Sequence, residues 1–172
     1  VAAVRAAVTA RTRLVMLCNP NNPTGSVFRE ADVAARLELC AEKDLLLVAD
    51  EAYCKLMQPG QTHVPVMKFH RHLDRVILLG TFSKTYAMTG WRLGYTVAPP
   101  DLIDTLYGIH RAINGPICNF VQRAGIAALR GPQDCIGEFN KIYKTRAALM
   151  HRLASAIPGL HPAQPQGAFY MW

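Results

Sequence analysis

No apolar stretch in these 172 residues approaches the roughly 18 needed to cross a bilayer, and nothing near Val1 has the layout of a secretion signal. Neither a membrane span nor an export signal is expected. Cysteine is sparse and unpatterned: Cys18, Cys40, Cys54, Cys118 and Cys135 are odd in number, widely spaced and include no CxxC. That argues against a disulfide framework or a zinc site and makes a reducing cytoplasm the natural location. Long basic runs are also lacking. The net charge of +7 is scattered from Arg5 to Arg152 with little aromatic interleaving, so solvated faces are expected and a nucleic-acid partner is not. Internal repeats and low-complexity tracts are absent. Residue 1 is Val, not Met, and the apolar run Gly167 to Trp172 reads as a strand just beginning, so an internal piece of a longer protein is expected.

What is present is ordinary globular material, 51% hydrophobic and 18% charged, enough for one sizeable core. Its periodicity alternates between helix and strand. Val1 to Thr9 reads as the tail of an amphipathic helix, and Arg13 to Cys18 is a short apolar run stopped by the turn-forming NPNNPTG of Asn19 to Gly25. Glu30 to Lys43 has a helical stripe at Val33, Leu37 and Cys40. Leu45 to Ala49 is strand-like and ends in Asp-Glu; Arg75 to Gly80 is a third strand, ending in TFSK. Runs of this continuous apolar kind are expected to be buried on both faces, as in a parallel sheet. Gly94 to Ala98 gives one more strand, closed by Pro99-Pro100. Three helices follow: from Asp101 as N-cap through Leu102, Leu106 and Ile109; from Pro116 to about Leu129; and a long one through Ile136, Phe139, Tyr143, Leu149 and Leu153 to Ala156. Pro158 to Gly167 is rich in Pro, Gly and polar residues and reads as a domain boundary.

Polar residues able to do chemistry cluster just after three of these strands: Asn22 after the first, Asp50 and Tyr53 after the second, Ser83 and Lys84 after the third. In an open α/β sheet, ligands bind outside the carboxyl ends of the strands, so groups far apart in sequence can converge there. Lys84 lies in GTFSKTYAMTGWRLGY, with hydroxyls at Thr81, Ser83 and Thr85 and with Arg92 further along. An amine poised there suits an aldehyde ligand that also carries a phosphate, because lysine forms Schiff bases and a nearby cation in a partly desolvated site frees the nucleophilic amine. Arg92 offers a planar fork that grips phosphate through parallel hydrogen bonds. Asp50 closes an apolar run, and a carboxylate placed there needs a partner. Asn22 is an ordinary turn former whose amide can also donate to a ligand. His70-Arg71-His72, flanked by Lys68 and Arg75, reads as a solvated loop. Cys54 reads as packing, and Trp91 as an anchor for the loop before Arg92.

NPNNPTG, then DEAY, then SK with RLGY, in this order and spacing, resembles the class I and II aminotransferases of fold type I. The similarity runs from about Val4 to Tyr170. PQGAFY (Pro165 to Tyr170) resembles the segment that opens that family's small domain, and TYAMTGWRLGY is closest to the branch of bacterial aspartate and broad-range aminotransferases. The resemblance implies an α/β fold, a mostly parallel sheet flanked by helices. Residues 1–157 would be part of the large cofactor-binding domain, and 158–172 the linker and first strand of the small one. It implies pyridoxal 5′-phosphate as cofactor, with Lys84 as Schiff-base lysine and proton shuttle and Asp50 as partner of the pyridine nitrogen. Tyr53 and Asn22 would meet the ring oxygen, and Thr81, Ser83 and Arg92 the phosphate. Amino-acid and 2-oxo-acid substrates and a homodimer are implied too, as is a cis Asn22-Pro23 bond. Arg29 stands where the family usually has Ser or Thr, so the next helix is expected to begin less firmly. A β-lyase of the same fold, or the cofactor-binding sensor domain of a transcription regulator, stays open as an alternative.

Overall fold

The computed structural model describes residues 1–172. A four-stranded sheet in the order β1-β2-β3-β4 carries the fold. β1 (Leu14–Cys18), β2 (Leu46–Asp50) and β3 (Val76–Thr81) are parallel, and β4 (Gly94–Val97) returns antiparallel. Each parallel strand lies within a residue of the apolar run that announced it. After a short α1 (Ala2–Ala7), the helix α2 (Glu30–Glu42) connects β1 to β2. It lays Val33, Leu37 and Cys40 against Leu17, Leu45, Leu47, Ala49, Val66, Val76 and Leu78, which together form the main core. That stripe has the helical period, and each leucine fully buried in it contributes roughly 1.5–3 kcal/mol.

Burial on both faces of the sheet holds only in part. In β3, Val76, Ile77 and Leu78 are buried in succession. In β1, however, Leu14 and Met16 are 48% and 62% exposed, and β4 is exposed along its length. The physical reason is that α2 is the one helix contributing to the main core, so the opposite face lacks an equivalent cover.

β3 runs directly into a single helical turn, α3 (Phe82–Thr85), whose N-cap Thr81 accepts the N–H of Ser83 on its side chain at 3.1 Å. Across from it, Gly80 pairs with Tyr95 of β4, and the tyrosine ring lies over the glycine so closely that a Cβ there would stand 2.1 Å from Cζ. No other residue type fits at Gly80 unless the Tyr95 ring swings away from it.

Three helices follow, α4 (Pro100–Ile113), α5 (Asn119–Arg130) and α6 (Asp134–Ser155). α4 starts at Pro100 with Pro99 as its cap, two residues ahead of the expected cap Asp101, because proline at the first helical position has no N–H to lose and a preset φ. α5 starts at Asn119 rather than Pro116. The run Gly167 to Trp172 is not a strand here. Gly167 makes one antiparallel bridge with Met57, and Ala168, at φ +57°, turns the chain out of the extended conformation. The Asn22-Pro23 bond is cis, as is Asn19-Pro20. All five cysteines are free thiols, and no helix is long and apolar enough to cross a membrane.

Candidate active site

Register brings the strand ends level. Cys18 of β1 pairs with Asp50 of β2, and Asp50 with Leu79 of β3. The ladder continues one step beyond, with Asn19 N–H donating to Asp50 O at 2.9 Å and Glu51 N–H to Leu79 O at 3.1 Å. The NPNNPTG turn, the DEAY turn and the TFSK turn therefore leave the sheet side by side, at its carboxyl edge.

Lys84 and Tyr53 meet there. The Lys84 Nζ lies 5.9 Å from the centroid of the Tyr53 ring and 5.5 Å from that of Phe169. No carboxylate pairs with this amine, although ion pairs form at several other lysines and arginines of the chain. Asp50 accepts the N–H of Ala52 on Oδ1 at 3.0 Å, and no protein donor reaches its Oδ2. Tyr53 is buried, and its phenol is held above its ordinary pKa. Burial is the main cause, followed by the hydroxyl bond to Tyr170 and the electrostatic interaction with it, with smaller contributions from Cys18 and Asp50. Burial likewise raises the Cys18 thiol, which the backbone of Asn22 opposes.

The remaining predicted residues are less gathered. Ser83 is buried and its hydroxyl bonds to no other residue, but the Thr81 hydroxyl is already engaged, accepting from Ser83 N–H and donating to Leu93 O at 3.3 Å. Arg92 is exposed, in the left-handed conformation at φ +53°, and its guanidinium donates to Thr89 O at 3.0 Å. Its backbone is nonetheless tied to the TFSK turn, since Leu93 O also accepts Phe82 N–H and Thr89 Oγ1 donates to Ser83 O. Asn22 is exposed, and its side chain bonds to no other residue. Asn21 and Asn19, by contrast, spend theirs inside the loop, on Thr24 and on Phe28 N–H. His70 and Arg71 are exposed, in keeping with a solvated segment. Trp91 packs edge-on to Phe120 at 6.4 Å.

Sequence reasoning missed two features. One is the aromatic pair Phe169 and Tyr170, tilted against each other and both packed edge-on to Tyr53 from the far end of the chain. PQGAFY was legible as a motif, but nothing in its spacing said which residues it faces. The other is Glu51, whose Oε1 accepts Val66 N–H at 2.7 Å while Oε2 stands 3.1 Å from His63 Nε2. That last contact is close but poorly aligned for a hydrogen bond, and it becomes an ion pair only where His63 is protonated. A cavity of about 370 Å³ lies beyond Tyr170, lined by Tyr143, Arg146, Met150 and Phe169 among others, and none of the seven residues predicted from sequence reaches it.

A mostly parallel α/β sheet with an unpaired amine, a carboxylate and a phenol at its carboxyl edge has the layout in which α/β enzymes bind their ligands. Comparison with known proteins makes this specific. The chain belongs to the family described as aminotransferase class I and II, which it matches over residues 1–172. It is 31% identical to aspartate aminotransferase from Bacillus subtilis over 167 residues, 96% of this chain and 42% of that protein. It is 34% identical to the probable aspartate aminotransferase of Methanocaldococcus jannaschii, covering 98% and 45%. Among solved structures, the aromatic aminotransferase from Pyrococcus horikoshii OT3 superposes with a TM-score of 0.93 at 30% identity, over 98% of this chain and 45% of that one. The aspartate aminotransferase from Rhizobium meliloti gives a TM-score of 0.93 at 33% identity, over 98% and 42%. The chain thus spans less than half the length of the relatives it matches.

Proposed function

We propose that this chain is the cofactor-binding part of a pyridoxal 5′-phosphate-dependent aminotransferase that moves an amino group between an L-amino acid and a 2-oxo acid, of aspartate or broad-range type. The observation that carries the reading is the Lys84 amine, without an acid partner, beside the Tyr53 ring at the edge where β2 ends in Asp50. The donor set suits the cofactor on three counts: an uncommitted amine for an aldehyde, a carboxylate oxygen without a protein donor for a ring nitrogen, and a buried, uncommitted Ser83 hydroxyl for a phosphate. When bound, the cofactor supplies the aldehyde and an electron-poor ring that stabilises charge at the neighbouring carbon.

The chain's own residues would do the rest. Lys84 Nζ would hold the cofactor through its aldehyde and would serve as the base that moves the substrate proton. Asp50 would keep the ring nitrogen protonated, and Tyr53 and Asn22 would donate to the ring oxygen. Ser83 and Arg92 hold the phosphate. Thr81 joins them only by giving up its bond to Leu93 O, so its first task is to cap α3 and thereby fix Lys84. The division into a large domain through residue 157 and a second domain beyond it belongs to the same reading, as does a cytoplasmic setting for five free thiols. A homodimer fits the apolar surface left open, with Ile113 74%, Phe120 65% and Met16 62% exposed.

The test is chemical. The full-length natural protein, loaded with pyridoxal 5′-phosphate and treated with borohydride, should carry the label on the Lys84 peptide and should transfer nitrogen from aspartate to 2-oxoglutarate. A label confined to another lysine, or none, would refute the reading. Labelling at Lys84 with elimination products in place of transfer would move the protein to the lyases of this fold.

A further inference from the structure

The hydroxyl of Tyr170 is hydrogen-bonded to that of Tyr53, and their rings meet edge-on at 5.5 Å. Much of the local structure goes into placing it. Gln166 and Gly167 both donate their N–H to Gly25 O, at 3.0 and 2.8 Å; Ala168 N–H donates to Leu56 O at 2.8 Å, and Gln58 N–H to Gln166 O at 3.0 Å. The Gln166 side chain accepts Val27 N–H at 2.9 Å. Gly167 has no room for a side chain, because a Cβ there would stand 2.8 Å from the Pro20 ring. Ala168 is buried and left-handed, a conformation that non-glycine residues rarely adopt. The segment is thus fastened to both the NPNNPTG and DEAY turns, and it delivers one phenol to another across 117 residues.

Two linked hydroxyls have two arrangements, since each owns one proton. If Tyr53 donates to Tyr170, its proton is unavailable to the site. If Tyr170 donates to Tyr53, the Tyr53 proton is free to point inward, and the bond it receives polarises it into a stronger donor. An anionic oxygen next to Tyr53 selects the second arrangement. The other groups facing Tyr53 are Asp50 and Cys18 from the strand ends and Lys84 from α3. Of these, the Asp50 carboxylate can only accept, and the Tyr53 hydroxyl bonds to Tyr170 and to none of the three.

We propose that Tyr170 is a positioning residue for Tyr53, donating to the Tyr53 oxygen so that the Tyr53 proton is directed at the anionic ring oxygen of the cofactor. The assignment rests on the reading of the site given under Proposed function. It is tested in the full-length protein loaded with pyridoxal 5′-phosphate, by the pH midpoint of the visible absorption band, with Tyr170→Phe, Tyr53→Phe and the double variant. Tyr170→Phe removes one oxygen and no packing volume, so the fold is kept. Loss of a donor at the ring oxygen raises the midpoint. Tyr53→Phe is expected to raise it most, Tyr170→Phe by about 0.4–1 pH unit, and Tyr170→Phe added to Tyr53→Phe by nothing further. A midpoint unmoved by Tyr170→Phe, or moved equally with and without the Tyr53 hydroxyl, would overturn the assignment alone, since the band itself shows that the cofactor is bound. An unsubstituted protein with no such band and no borohydride label on Lys84 would overturn the underlying reading and this assignment with it.

Discussion

The first half of the chain and its three long helices are built differently. Between β1 and β4 the main core closes on itself, with Val33, Leu37, Cys40 and Leu47 at 0% exposure and the three turns of the site bonded to one another. In α4 and α6 no residue is buried, and α5 buries only Val121 and Gly125, the latter under Leu93 and Phe82. Yet α4 is amphipathic, with Leu106, Tyr107, Ile109 and Ile113 all exposed. A helix with an apolar face takes its stability from what covers that face. The contrast therefore separates a part of the molecule with a buried core of its own from a part whose helices leave their apolar faces exposed.

The largest effect expected from this contrast is chemical and lies wholly in the first part. Lys84→Ala in the full-length protein should abolish amino transfer while leaving the unfolding midpoint nearly unchanged, because Lys84 makes no ion pair. Retention of full activity would show that the amine at this edge is not the reacting one.

Next in size is the packing difference. Leu47→Ala, at a residue with 0% exposure, should cost about 3 kcal/mol in urea unfolding, the lost transfer energy plus the cavity left behind. Ile113→Ala, at 74% exposure, should cost under about 0.5 kcal/mol in the 172-residue chain. In the full-length protein the same change should cost more, if its face is covered there. Equal, small costs for Ile113→Ala in both would mean that α4 carries its apolar face uncovered.

How far this division could be read in the sequence depends on the range of the interactions. The strands of the first part were legible because Leu14 to Cys18, Leu46 to Asp50 and Val76 to Thr81 are unbroken apolar runs ending in turn formers, and Asn22, Asp50, Tyr53, Ser83 and Lys84 follow them at once. Proline misled at the helix starts: Pro100 proved to be inside α4, and Pro116 to precede α5. The partners of Tyr53 and Glu51 were not legible. Tyr170 and His63 reach them only after the chain has folded, and no local period encodes a pairing across a turn or across the whole sheet. The open sheet face was invisible for a similar reason, since an apolar run announces a strand but not whether both of its sides will be covered.

Glu51 gives a smaller test of the same internal bonding. Its side chain is 11% exposed and that of His63 10% exposed, and Glu51→Ala leaves the N–H of the buried Val66 without an acceptor. A cost of about 2 kcal/mol is expected from that unsatisfied buried donor. Glu51→Gln, which can still accept from Val66, should recover about half of it. If both variants are as stable as the parent, water replaces the carboxylate and the pair does not hold the loop.

The smallest effect tests whether the first part is optimised at its edge. α2 begins at Arg29, which has the extended backbone of an N-cap, at φ −72° and ψ 162°, but no side-chain bond to the first turn. Its guanidinium instead bonds to Asp32 at 2.9 Å on a side chain 84% exposed, where solvent screens the pair. A serine hydroxyl at this position would accept an N–H of the first turn, and Glu30 and Asp32 already place favourable charge there. Arg29→Ser should therefore raise the unfolding temperature by roughly 2 °C, the gain of a cap exceeding the loss of an exposed ion pair. A fall instead would mean that this end of α2 is held from outside the helix, by Phe28 N–H on the Asn19 side chain at 3.0 Å and Lys68 on Glu30 at 2.6 Å, with the arginine part of that arrangement.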